Sequence, residues 1–163
     1  MTEEKKMILV RSTEGKLFEV AQEAALQCET IKNMIEDGCT PSEKGIPLPN
    51  VSSKTLSKVI KYLIHHMENR KGNDGEEEEK KAVTELQKWD EEFVNVDMET
   101  LVDIALAANY LNVKNLLDMT SMAIANHIKD LRPEEVREIF AIENDFSPEE
   151  EANVREQNKW AFE

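Results

Sequence analysis

The sequence predicts an α+β fold: a small sheet with helices in front, and helices alone behind. Three observations predict it. Two short runs rich in β-formers flank a turn within residues 7–20. A full amphipathic helical stripe occupies residues 56–67. From Trp89 onward helix signals follow one another with no further strand pattern.

Met7-Ile8-Leu9-Val10-Arg11-Ser12 reads as a strand and Leu17-Phe18-Glu19-Val20 as its return. Thr13-Glu14-Gly15-Lys16 is the turn, with Gly15 free to take a positive φ. Two short helices follow, over Ala21 to Gln27 and Thr30 to Asp37. In the second, Ile31, Met34 and Ile35 share one face, and Gly38 ends it. Gly45-Ile46-Pro47-Leu48-Pro49 is too rich in proline for a central strand and suits a short edge strand. Ser52-Ser53 opens a helix whose Leu56, Val59, Ile60, Leu63, Ile64 and Met67 line one side. Composition then collapses: residues of about 68–82 include two glycines and a run of four glutamates, the pattern of a solvated, disordered loop.

The rear predicts helices over Thr84 to Phe93, Thr100 to Leu111 and Val113 to Ile128. Ala105, Ala107 and Ala108 in the second allow close packing. Pro133-Glu134-Glu135 opens another, with proline at the first position and acids at the positive end of the dipole. Ser147-Pro148-Glu149-Glu150 opens the last with a capping box.

At 163 residues the chain holds one core, or one core with an appendage. Its net charge of -14, from 34 acidic and 20 basic residues, repels phosphate backbones and anionic lipid, which argues against nucleic acid or membrane as the partner. The N-terminal MTEEKKMILV is expected to be neither a signal nor a transit peptide. No run approaches the ~20 apolar residues of a membrane span. Cys28 and Cys39 form no Cys-x-x-Cys pair and suit reduced thiols of a nuclear or cytoplasmic protein.

Chemistry is sparse. Adjacent His65 and His66 point about 100° apart on a helix and cannot grip one metal together. The Gly72 to Gly75 stretch has no following Gly-Lys-Ser/Thr, so it is not a phosphate loop. The Glu76 to Glu79 run lacks calcium-loop spacing. No serine or cysteine sits in a nucleophile motif. Neither catalytic residues, metal nor cofactor are expected. What remains is a surplus of apolar helix faces at 113–128, 133–140 and 148–160. Either they close a bundle on themselves or they leave a groove for another chain. Trp160 and Phe162, in a tail with little local apolar sequence, are candidates for contact with a partner.

Several strings occur together and in order: Leu48-Pro49-Asn50-Val51, Ala107-Ala108-Asn109-Tyr110-Leu111, Leu116-Leu117-Asp118, Pro133-Glu134-Glu135, and Asn144 to Glu151. They resemble the S-phase kinase-associated adaptor family of Skp–cullin–F-box ubiquitin ligases. The ending Asn158-Lys159-Trp160-Ala161-Phe162-Glu163 looks most like plant members. The resemblance implies a BTB/POZ-type domain over residues 1–130, with C-terminal helices over 131–163 that complete a surface for F-box proteins. It implies a non-enzymatic adaptor that also holds a cullin scaffold, and through it, indirectly, a RING subunit. The implied F-box surface contains Leu101, Ala105, Leu117, Ile124, Ile128, Val136, Ile142 and Trp160. The implied cullin surface contains Asn109 and Tyr110. Leu117, Ile124 and Ile128 would also serve as plain bundle core, and Asn109 as an ordinary helix-surface residue.

The chain departs from the family where Val102 and Ala105 replace commoner Phe and Ile, and where Asp130 and Arg132 replace Gly and Thr. These departures bear on partner range. The alternative function is a self-associating BTB/POZ scaffold unconnected with ubiquitin. An elongin-C-like adaptor would stop soon after residue 110, and the tail 131–163 argues against it.

Overall fold

β1 (Met7–Arg11) and β2 (Leu17–Ala21) form the expected antiparallel hairpin, with Ile8 opposite Val20 and Val10 opposite Phe18. Ile8, Val10 and Val20 face inward and are buried, as the two-residue period of a strand requires. β3 (Ile46–Pro47) adds to the free side of β1 in parallel, giving the order β2-β1-β3. Pro47 is tolerated because β3 is an edge. Gly45 enters β3 at φ +68, and a Cβ there would lie 2.9 Å from a Leu17 methyl and 3.3 Å from the Leu9 backbone.

The computed structural model describes residues 6–38, 43–70 and 76–161. The chain divides into two units, Met1–Asn126 and His127–Glu163. In the first, the sheet is followed by α1 (Gln22–Ala25), α2 (Glu29–Glu36), α3 (Ser53–Arg70), α4 (Glu76–Val94), α5 (Met98–Leu111) and α6 (Lys114–Ile128), whose last turn crosses the division. The front is therefore the expected small sheet with helices.

α3 and α5 are the centre of this unit. α3 buries Leu56, Val59, Leu63 and Met67 from the predicted stripe, and also Tyr62. α5 buries Leu101, Ile104, Ala107, Ala108 and Leu111. The two alanines let the helix backbones approach, and each fully buried Leu or Ile contributes about 1.5–3 kcal/mol. Asp97 caps α5 by accepting the Thr100 N–H at 2.9 Å, and that hydrogen bond lowers the pKa of its carboxyl. Asn112 ends it in the left-handed region at φ 52.

The acidic stretch differs from expectation. α3 continues to Arg70, and α4 begins at Glu76 rather than Thr84, so both flanks of the expected disordered loop are helical. Residues 71–75 lie outside the described residues. Glu and Lys are good helix formers, and glutamates four residues ahead of lysines, at the positive end of the dipole, favour a helix despite their polarity. Reading charge as disorder missed this.

α4 is fastened to α3 by aromatic rings. Trp89 stacks on His65 with centroids 4.0 Å apart and on Phe93 at 5.1 Å. Tyr62 meets Phe93 at 5.7 Å. His66 Nε2 lies 2.7 Å from Asp90 Oδ1. The adjacent histidines are therefore packing groups. Burial, then the neighbouring His66, lowers the pKa of His65.

The hairpin turn also caps α3. The Ser53 N–H and hydroxyl each donate to Glu14 Oε2 at 2.8 Å. The Ser12 hydroxyl lies 2.8 Å from that of Ser53 and accepts the Lys16 N–H at 3.2 Å. The Ser53 hydroxyl, with the Glu14 and Ser53 amides, holds the Glu14 carboxyl down at about 2. An acid with a depressed folded pKa contributes stability that is complete above its unfolded value, 4.5, and is lost as pH falls toward 2. Glu14→Gln should thus lower the urea midpoint at pH 7, with the gap to the wild type narrowing below pH 4.5 and closing only below about 2. Identical midpoints at pH 7 would contradict the cap.

Candidate functional site

Among the described residues no three His, Cys, Asp or Glu side chains converge as a metal site. Cys28 is fully buried, and burial pushes its thiol up to about 12, so it is a poor nucleophile. Cys39 lies outside the described residues. The chemistry on offer is that of surfaces.

In the first unit the candidate residues fall on α5 and α6. Leu101 is only 1% exposed. The structure corrects its assignment to a contact surface: the side chain lies on the inner face of α5 and has no area to offer. Ala105 and Val102 are half-buried on the outer flank of α5. Leu106, which sequence reasoning missed, is 63% exposed on the same flank. Its signal was present, since positions 102, 105, 106 and 109 lie on one helical face. On α6, Leu117 and Ile124 are half-buried at helical spacing. Leu117 packs against the core with one side.

Asn109 is exposed, whereas Tyr110 is half-buried and packs on the core. The Tyr110 carbonyl accepts the Thr30 hydroxyl at 2.9 Å, tying the end of α5 to α2. The two therefore differ: Asn109 offers a free side chain, and Tyr110 joins the surface to the interior.

The second unit holds α7 (Pro133–Phe140), α8 (Pro148–Gln157) and a single 3₁₀ turn over Lys159–Ala161. None of its described residues is buried. Arg132 precedes α7 and has no acceptor oxygen, so only the returning half of a capping box forms: its N–H donates to Glu135 Oε2 at 2.7 Å. α7 ends at Ala141, φ 51, where the Ile142 N–H donates to the Arg137 carbonyl at 2.8 Å. α8 has the full box: Ser147 N–H to Glu150 Oε2 at 2.9 Å, and Glu150 N–H to Ser147 Oγ at 3.3 Å. The Ser147 backbone and then its hydroxyl lower the pKa of the Glu150 carboxyl. Arg155 of α8 pairs with Glu134 of α7 and with Glu151, the latter at 3.0 Å. Such exposed pairs contribute about 0–1 kcal/mol each, and no core reinforces them.

Apolar side chains are left open here. Ile142 is 52% and Trp160 76% exposed, while Ile128 and Val136 are half-buried. Ile139, Phe146 and Val154, not singled out from sequence, are also exposed. Ile139 follows Val136 by three positions, a spacing that would have found it. Phe162 lies outside the described residues.

Two family models match this chain: the Skp1 family tetramerisation domain over residues 6–68 and the Skp1 family dimerisation domain over residues 114–161. The chain belongs to the Skp1 family. It is 52% identical to SKP1-like protein 20 of Oryza sativa subsp. japonica over 172 aligned residues, covering 99% of this chain and 97% of that protein. It is 48% identical to SKP1-like protein 4 of Arabidopsis thaliana, with both chains covered in full, and 48% identical to SKP1-like protein 1A of the same plant. The front domain is thus BTB/POZ-type with a helical C-terminal region, and the resemblance read from short strings, plant-like ending included, agrees with the whole-chain similarity. Skp1 family proteins are adaptors, which suits a chain whose candidate site consists of surfaces.

The two α5 residues separate by stability. Asn109→Lys should leave the urea unfolding free energy within about 0.5 kcal/mol of wild type, as for an ordinary surface change. Tyr110→Lys should cost about 2 kcal/mol by forcing a charge against the core. Equal stability of the two variants would show that Tyr110 is not a packing residue.

Proposed function

We propose that this chain is a non-enzymatic adaptor of a cullin-RING, Skp–cullin–F-box type ubiquitin ligase, bridging F-box substrate receptors to the N-terminal domain of a cullin. The observation that carries this reading is the second unit: α7 and α8 bury no described side chain, yet Ile139, Ile142, Phe146, Val154 and Trp160 are open. Exposed apolar groups in this number mark a surface that another protein covers.

In this reading Ala105, Leu117 and Ile124 of the first unit, and Ile128, Val136, Ile142 and Trp160 of the second, contact the F-box. Ile139 joins them, and Leu101 supports from beneath. Asn109 contacts the cullin directly, with Tyr110 holding the helix end in place. The RING subunit is reached only through the cullin. The adaptor works in the nucleus and cytoplasm, where a buried free thiol such as Cys28 stays reduced. The net charge of -14 disfavours nucleic acid and anionic membranes. Among the described residues no helix is long and apolar enough to cross a membrane.

A second reading, a self-associating BTB/POZ scaffold, is favoured by one observation: both matching family models are described as assembly domains. Light scattering on gel-filtered protein separates the two. The adaptor reading expects a monomer that gains one F-box domain and one cullin N-terminal domain. A stable homo-oligomer that takes neither would support the scaffold.

Trp160→Ala should leave the urea midpoint unchanged, since the ring is 76% exposed. It should weaken F-box binding by about 2 kcal/mol, close to thirtyfold, the scale of a hot-spot loss. Calorimetric titration with an F-box domain measures it. Wild-type affinity would remove Trp160 from the interface.

A further inference from the structure

The second unit is acidic: residues 127–163 hold eleven Asp and Glu against five Lys and Arg. Yet three of those five cations, Arg132, Arg155 and Lys159, line one cavity of about 390 Å³, with Pro133 and Glu134 as its other walls. Glu134 is the only acid in the lining, and it is already paired with Arg155. Arg155 is also held by Glu151 at 3.0 Å. Glu134 and Glu151, the latter shared with Arg137 at 4.0 Å, offset Arg155, and the Arg132 and Lys159 side chains set the sign of the cavity. Trp160, 76% exposed, follows Lys159 directly.

Arg132 stands at the N-cap of α7. As a helix cap it is a poor choice. It supplies no acceptor to the first turn of α7, and only the Glu135 half of the box survives. A residue that weakens its own helix start while placing a guanidinium on a cavity wall suits recognition better than folding.

We infer that this cavity is a specificity pocket for an acidic side chain of the partner, and that Arg132 and Lys159 select it. The inference rests on the F-box reading above. The occupant is a single Asp or Glu carboxylate on the F-box segment that meets α7 and α8. The Arg132 guanidinium donates two parallel hydrogen bonds to it, and the Lys159 ammonium adds a point charge. A neutral partner leaves two cations partly desolvated and unpaired, so discrimination against it arises from repulsion of the wrong partner as well as attraction to the right one. Elsewhere the acidic unit repels the same carboxylate, which confines it to this place.

The test is a display library made from one F-box domain, with each surface position randomised in turn. It is selected in parallel on the wild type and on Arg132→Thr combined with Lys159→Gln. The threonine restores a capping oxygen, so the variant is expected to fold, and a urea melt checks this. Enrichment of Asp and Glu at one position, or two adjacent positions, on the wild type alone supports the pocket. The selected acidic domain should then lose about tenfold in affinity on the variant, and this loss should shrink in high salt. Identical residue preferences on both proteins would overturn the inference while leaving the F-box reading intact. Failure of the parent F-box domain to bind either protein would overturn the reading itself, and the pocket with it.

Discussion

Two short helices, α7 amphipathic and α8 polar almost all round, cannot bury apolar surface on their own, and that constraint governs the rest of this molecule. α8 is well started by the full Ser147–Glu150 box, while α7 has Pro133 and only the Glu135 half of a box, and α7 stops at Ala141. Local sequence has settled where they begin and end. No described residue beyond Asn126 is buried, however, and the ties within the unit are ion pairs at the surface. Caps and exposed pairs each contribute on the order of 1 kcal/mol, while ordering a residue costs a similar amount. A helix pair in that balance stays receptive to whatever completes its core.

The first unit is built the opposite way. Its sheet supplies inward Ile8, Val10, Val20 and Ile46, and α3 and α5, with smaller shares from α1, α2 and α6, supply the rest of a buried interior. α5 works on both sides. Its inner face holds Leu101, Ile104, Ala108 and Leu111, and its outer flank shows Ala105, Leu106 and Asn109. The core fixes the helix so firmly that its outer residues are presented at fixed positions, the preorganisation that binding surfaces need. Small Val102 and Ala105 beside a prominent Leu106 give that flank a relief different from one carrying Phe and Ile at the first two positions.

Much of this was legible in the sequence. The hairpin, the edge strand, α3, α5, α6 and both proline-led helices follow from period, turn residues and caps. The first turns of α4, from Glu76, were not legible, because a run of glutamates signals disorder by composition and helix by propensity, and the spacing of glutamates to lysines favours the second. Tyr62 was passed over because it lies at the border of the aliphatic stripe. Its partners, Trp89 and Phe93, come from a helix that periodicity cannot bring alongside. Leu101 shows the converse limit. An apolar residue on an amphipathic helix is compatible with core or interface, and only the packing of α5 on α3 assigns it inward. Exposed Leu106 and Ile139 sat at readable spacings, yet exposure itself has no period and had to be seen.

The central claim is that the C-terminal helices obtain their hydrophobic core from a partner, and hydrogen exchange tests it most directly. In the free chain, amides of α7 and α8 should exchange orders of magnitude faster than those of α3 and α5, since their opening exposes almost no buried apolar surface. Addition of an F-box domain should slow α7 and α8 strongly and leave α3 unchanged. Protection of α7 and α8 in the free chain equal to that of α3 would contradict the claim, because it would mean that the chain completes its own C-terminal core.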